Sequence, residues 1–117
     1  MFMRYALFFS LAVALLAQNT DLTQALDSSR QRIDTIDDQI VKLLNERAQV
    51  VREVGSIKRR FHAPASAPGR EEQVLRRTAA QARMPLTPSA VGAVFKTILH
   101  EMSSMEAAEM EKSSKPQ

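Results

Sequence analysis

From Leu22 onward, apolar residues return every three or four positions: Leu22, Leu26, Ile33, Ile36, Ile40, Leu43, Val50, Val54, Ile57 and Phe61, with gaps. That rhythm keeps one helical face apolar and predicts a helix from Asp21 to about Phe61, a stretch with no proline and one glycine, Gly55. At 1.5 Å per residue it would be roughly 60 Å long. His62–Gly69 contains two prolines and a glycine and reads as a loop. A second helix is predicted from Arg70 to about Arg83, with Glu71 and Glu72 in its first turn, where the helix dipole favours anions. Met84-Pro85-Leu86 reads as a turn. Thr87 is a good N-cap and Pro88 suits the first helical position. The third helix carries Val91, Val94, Phe95, Ile98, Leu99, Met102 and Met105, then fades into a polar tail, 111–117.

Three helices of roughly 40, 14 and 23 residues do not form an ordinary bundle, because the first is longer than the other two can cover. Its apolar seam runs nearly end to end. The expected fold is therefore all-α, with three helices, one of them very long, forming an intertwined homodimer. A first helix bent at Gly55 in a monomer is the alternative. Ahead of this helical domain, 18–110, the chain has a short positive end, Met1–Arg4, then an uncharged apolar run, Tyr5–Ala17, and then polar Gln18-Asn19-Thr20-Asp21. This is the layout of a signal peptide over 1–17, so a periplasmic or secreted location is expected. An uncleaved anchor or a buried N-terminal helix would explain the same run. Beyond that segment no membrane association is expected.

Composition narrows the chemistry. The absence of cysteine excludes disulfides, thiolate metal sites and cysteine nucleophiles. A net charge of +3, with both signs interspersed, suits a small anionic ligand better than a nucleic acid. One residue breaks the apolar seam. After Ile40 and Leu43, the next seam position is Arg47, followed by Val50 and Val54. A guanidinium facing a core must meet an anion or carbonyl groups. Lys58 follows eleven residues later, only about 20° around the helix and about 16 Å along it. Arg30 lies about 100° off that face, so in an antiparallel dimer it would serve the partner's pocket. The other reading of Arg47 is local: its head snorkels and pairs with Glu46 or Glu53.

An ordered series of short motifs carries a family resemblance. It begins with Arg30-x-x-Ile33-Asp34-x-Ile36-Asp37 and Ile40-Val41-x-Leu43-Leu44-x-Glu46-Arg47. It continues through Val54-Gly55-x-x-Lys58, Pro64, Arg70-Glu71, Pro85-Leu86 and Phe95-x-x-Ile98-Leu99. From about Leu26 to Glu106 the chain resembles the all-helical, type II class of chorismate mutases. The resemblance implies an isomerase that converts chorismate to prephenate without a cofactor or metal. It implies that Arg30 reaches across a dimer to one substrate carboxylate while Arg47 holds the other. Lys58 would contact a carboxylate and the ether oxygen of the breaking bond. Arg70 would support the substrate, Glu71 would accept a hydrogen bond from the ring hydroxyl, and Glu106 would stand near the ether oxygen. Catalytic roles thus fall to Lys58, Glu106 and Arg47, and substrate binding to Arg30, Arg47, Lys58, Arg70 and Glu71. Because the rearrangement is pericyclic, holding the dianion and stabilising charge on its ether oxygen are enough.

Two positions depart from the family pattern. Ala67 falls where relatives often carry an acid, and Met102 where a serine is common. Ser103 is adjacent but about 100° away on an ideal helix. Glu106, close to the end of the third helix, would on another reading simply face solvent. His62 and His100 are isolated and read as surface residues, and Asp34, Asp37 and Asp38 as a solvated face. Arg59-Arg60 and Arg76-Arg77 lack the interleaved aromatics of a nucleic-acid surface. Two other functions stay open at this point. One is an isochorismate–pyruvate lyase on the same fold; the other is a non-catalytic periplasmic helical dimer that binds a metabolite or protein.

Overall fold

The computed structural model describes residues 3–112, with side chains from residue 19 onward. It is helical throughout its regular structure: α1 spans Met3–Arg60, α2 spans Pro68–Ala79 and α3 spans Pro88–Lys112. The expected signal segment, 1–17, lies outside the residues whose side chains are described, as does the tail beyond Lys112. α1 departs from expectation at its start. α1 runs on through Gln18–Asp21, where no proline or glycine stops it, and Thr23 Oγ1 donates to the Asn19 carbonyl at 2.9 Å. It also continues unbroken through Gly55.

The chain divides into two compact units, residues 1–43 and 44–117. In the first, every described side chain is exposed, including Leu22, Leu26, Ile33, Ile36, Ile40 and Leu43, the last at 61%. The second unit contains the end of α1 with α2 and α3. Its buried apolar residues are Val74, Val91 and Met102, joined by Thr78 and Glu106. Phe95, Ile98 and Leu99 are half-buried, whereas Val94 and Met105, expected on the apolar face of α3, are exposed.

α2 begins and ends earlier than its sequence pattern suggests. Pro68 takes the first turn, where a missing N–H costs nothing, and the Arg70 and Glu71 amides bond back to the Ala67 carbonyl. At the other end, Gln81 N donates to Thr78 O and Ala82 N to Ala79 O, so the helix tightens into i→i+3 turns. Met84, before Pro85, is disfavoured in helical geometry, which stops further extension. Buried Thr78 satisfies its hydroxyl on the Val74 carbonyl at 2.8 Å.

α3 starts as its sequence signals. Thr87 Oγ1 accepts a hydrogen bond from the Ala90 amide at 3.1 Å, and Pro88 follows at the first helical position. Thr87→Ala should therefore lower stability by about 1 kcal/mol, while Thr87→Ser keeps most of it. Urea unfolding followed by helical circular dichroism measures the difference; an unchanged midpoint for Thr87→Ala would show that the cap contributes nothing.

Candidate functional site

Within the second unit, α1, the 61–67 loop, α2 and α3 enclose a cavity of about 280 Å³. The helical periodicity that carried the apolar seam also builds its wall. Val50, Val51 and Val54 from α1, Val74 from α2, and Leu99 and Met102 from α3 line it with aliphatic surface. Set into that surface are Arg47, Lys58, Arg70, Glu71, Ser103 and Glu106. A few polar groups on mostly apolar walls are the usual make-up of a small-molecule site.

Arg47 is half-buried and makes no ion pair or hydrogen bond among the described residues, so pairing with Glu46 or Glu53 does not occur. Its guanidinium is left to the cavity. Lys58 follows three turns later on the same wall, and its Nζ donates to the Ala65 carbonyl at 2.8 Å. Nζ also stands 2.7 Å from Glu106 Oε1, with side-chain exposures of 20% and 10%. That contact is charge against charge rather than an aligned hydrogen bond, since Oε1 is buried with no hydrogen-bond partner among the described residues. Glu106 itself is 8% exposed, which overturns the solvent-facing alternative.

Arg70 and Glu71 enter from the first turn of α2. Arg70 is exposed at the rim and donates from Nη1 to Gln73 Oε1 at 2.8 Å. Glu71 Oε1 accepts from Ser103 Oγ at 3.4 Å. Ser103 corrects the sequence reading, which aimed it away from the site. Met102 forms the buried floor and Ser103 the exposed rim, and the cavity is wide enough for neighbours 100° apart to border it together. Ala67 also lines the cavity without a polar group.

Five of the six expected site residues, Arg47, Lys58, Arg70, Glu71 and Glu106, thus share one cavity. The sixth, Arg30, is exposed in the first unit. His62 and His100 are exposed and are not among the lining residues. Asp34, Asp37 and Asp38 are exposed as well, and no group of three metal-ligating side chains occurs among the described residues.

Comparison with known proteins identifies the family. Residues 29–107 match the family described as chorismate mutase type II. The chain is 35% identical over 85 residues to a bifunctional chorismate mutase/prephenate dehydratase of Neisseria gonorrhoeae, covering 73% of this chain and 23% of that protein. It is 39% identical over 51 residues to the protein of the same description from Aquifex aeolicus, covering 44% of this chain and 14% of that one. The chain therefore spans less than a quarter of the length of these curated relatives. Among solved structures, the form II chorismate mutase of Thermus thermophilus superposes with a TM-score of 0.68 at 27% identity, over 70% of this chain and 93% of that one. A Helicobacter pylori chorismate mutase in complex with prephenate gives 0.69 at 19% identity, over 75% and 96%. That second likeness is one of fold.

Removing one member of the Lys58–Glu106 pair strands the other charge, whereas replacing both with apolar groups does not. Lys58→Ala should cost about 2–3 kcal/mol, below the range for a fully buried pair because the lysine keeps some solvent access. Lys58→Met combined with Glu106→Leu should recover near wild-type stability. Equal urea midpoints for Lys58→Ala and the double variant would contradict the geometry.

Proposed function

The chain belongs to the chorismate mutase type II family, and on that premise we propose that it rearranges chorismate to prephenate in the cavity between α1, α2 and α3. The observation that carries this reading is the convergence of Arg47, Lys58 and Arg70 on one small, apolar-walled cavity, with Arg47 unpaired among the described residues. Three cations there face two carboxylates, Glu71 and Glu106. Arg30 from a second copy would add a fourth cation, and the resulting excess of two positive charges matches a dianion. Arginine forks grip carboxylates in bidentate geometry, which fixes both ends of the substrate.

The rearrangement breaks a carbon–oxygen bond and forms a carbon–carbon bond in one cyclic electron shift, so no side chain needs to take or give a proton. What the site supplies is restraint and charge. Arg47 and Arg30 hold the two carboxylates so that the enolpyruvyl arm lies over the ring, a near-attack geometry. Lys58 presents a free N–H donor to the ether oxygen, which gains negative charge as its bond lengthens. The Ala65 carbonyl fixes the lysine head beforehand, so little reorganisation accompanies the reaction. Glu71, steadied by Ser103, is placed to accept from the ring hydroxyl.

The same reading includes an intertwined homodimer with shared sites. Its support is the unburied seam: Leu22, Ile33, Ile36, Ile40, Leu43, Val50 and Ile57 are each about half exposed in the single chain, far beyond the scattered apolar residues of ordinary surfaces. A second copy laid along α1 buries them and delivers Arg30 to the opposite site.

Loss of chorismate absorbance, with product analysis to separate prephenate from lyase products, tests the activity. Arg47→Ala and Lys58→Ala should each lower kcat/KM by about a hundredfold or more, while His62→Ala and His100→Ala leave it near wild type. Wild-type turnover in Lys58→Ala would sink the electrostatic assignment. Mixing inactive Arg30→Ala and Arg47→Ala chains should restore activity, because a heterodimer contains one intact site. No recovery after verified subunit exchange would exclude sharing.

A further inference from the structure

We propose that Gly55 is a positioning residue for this reaction: its missing side chain is what lets Glu106 lie across α1 and reach Lys58. The inference rests on the mutase reading of the site. Gly55 is buried in the interior of α1, three residues before Lys58 and so on the same helical face. A Cβ built on it would stand 3.3 Å from Glu106 Cγ, with Met110 Cγ at 3.9 Å and the Glu106 carbonyl oxygen at 4.0 Å. The first distance is tighter than most side-chain contacts, so a methyl group at position 55 would shift the Glu106 side chain by a few tenths of an ångström.

Backbone conformation does not account for this glycine. No glycine among the described residues has a positive φ, and inside a helix glycine is less favourable than alanine. What the site requires is space. Gly92 supplies the contrast: it also lies inside a helix, yet an added Cβ there meets nothing within 4 Å.

The displacement matters because of what Glu106 carries. Its Oε1 is 2.7 Å from Lys58 Nζ, and among the described residues no hydrogen bond holds that oxygen. Packing against the bare backbone of Gly55 therefore sets where the carboxylate stands relative to the lysine that faces the ether oxygen. Arg47 and Arg70, which grip the substrate, are not among the contacts of position 55. A methyl group at 55 should consequently disturb the chemical step and spare substrate binding.

The test compares wild type, Gly55→Ala, Glu106→Ala, the double variant and Gly92→Ala with chorismate. Gly55→Ala should lower kcat roughly tenfold, as small misplacements at reacting centres do. Its KM should stay within about threefold of wild type, because the carboxylate-gripping arginines are untouched. Thermal stability should not fall in proportion, since alanine favours the helix. Gly92→Ala should retain wild-type kcat. On the Glu106→Ala background there is no Cγ left to displace, so adding Gly55→Ala should change kcat no further; this arm also serves if the single variant folds poorly. Wild-type kcat in Gly55→Ala, or an equal further loss on the Glu106→Ala background, overturns the inference alone. A wild-type protein without turnover overturns the mutase reading, and this inference with it.

Discussion

Lys58 is held at two points, by the Ala65 carbonyl and by the Glu106 carboxylate, and the second unit converges on that one ammonium group. The carbonyl ties the loop after α1 back onto the helix it leaves, and the carboxylate ties α3 to the same turn. Arg52 Nε and Glu109 Oε1, 3.7 Å apart, repeat the α1–α3 link nearer the surface, where solvent screening leaves it little strength. A partly buried lysine therefore sets the separation of the elements that wall the cavity. Its burial is tolerable only because an anion and a carbonyl stand against it.

The apolar interior that backs this arrangement is small. Val74, Val91 and Met102 are its buried apolar residues, while many large aliphatic side chains along α1 remain exposed. A domain of this size depends on hydrophobic burial for most of its stability, and a core so slight does not supply it. Under the proposed dimer, stability and site formation become one event. The surface that completes the core also brings Arg30, so the unpaired chain would lack both. Its unfolding would then depend on protein concentration, as it does for obligate dimers.

The sequence disclosed much of the fold because its signals are local. Proline and threonine marked the start of α3, prolines marked both loops, and the three/four rhythm marked α1. Arg47 and Lys58 were legible through the same rhythm, since helical phase alone puts them on one face. Arg70, Glu71 and Glu106 were legible only through the family resemblance, because they come from other helices and no periodicity links them to Arg47. Ser103 was misjudged because ideal phase says which way a side chain points but not how wide the facing cavity is. Gly55 was read as a possible bend, whereas its consequence is the close approach of another helix. That approach depends on tertiary packing, which no local pattern encodes.

The two departures from the family pattern take on a different meaning once the cavity is known. Met102 is buried in its floor, so an apolar side chain closes the cavity there instead of a hydroxyl. An apolar floor lowers the local dielectric, and every charge facing a bound anion then acts more strongly. The polar contact is not lost altogether, because Ser103 at the rim donates to Glu71. Glu71 is therefore oriented even though Ala67 brings no acid beside it. Ala67 in turn keeps a third carboxylate out of a cavity that already contains two, and a dianionic substrate would be repelled by it. With Met102 and Ala67 in place, the cavity keeps the positive balance that the proposed chemistry needs.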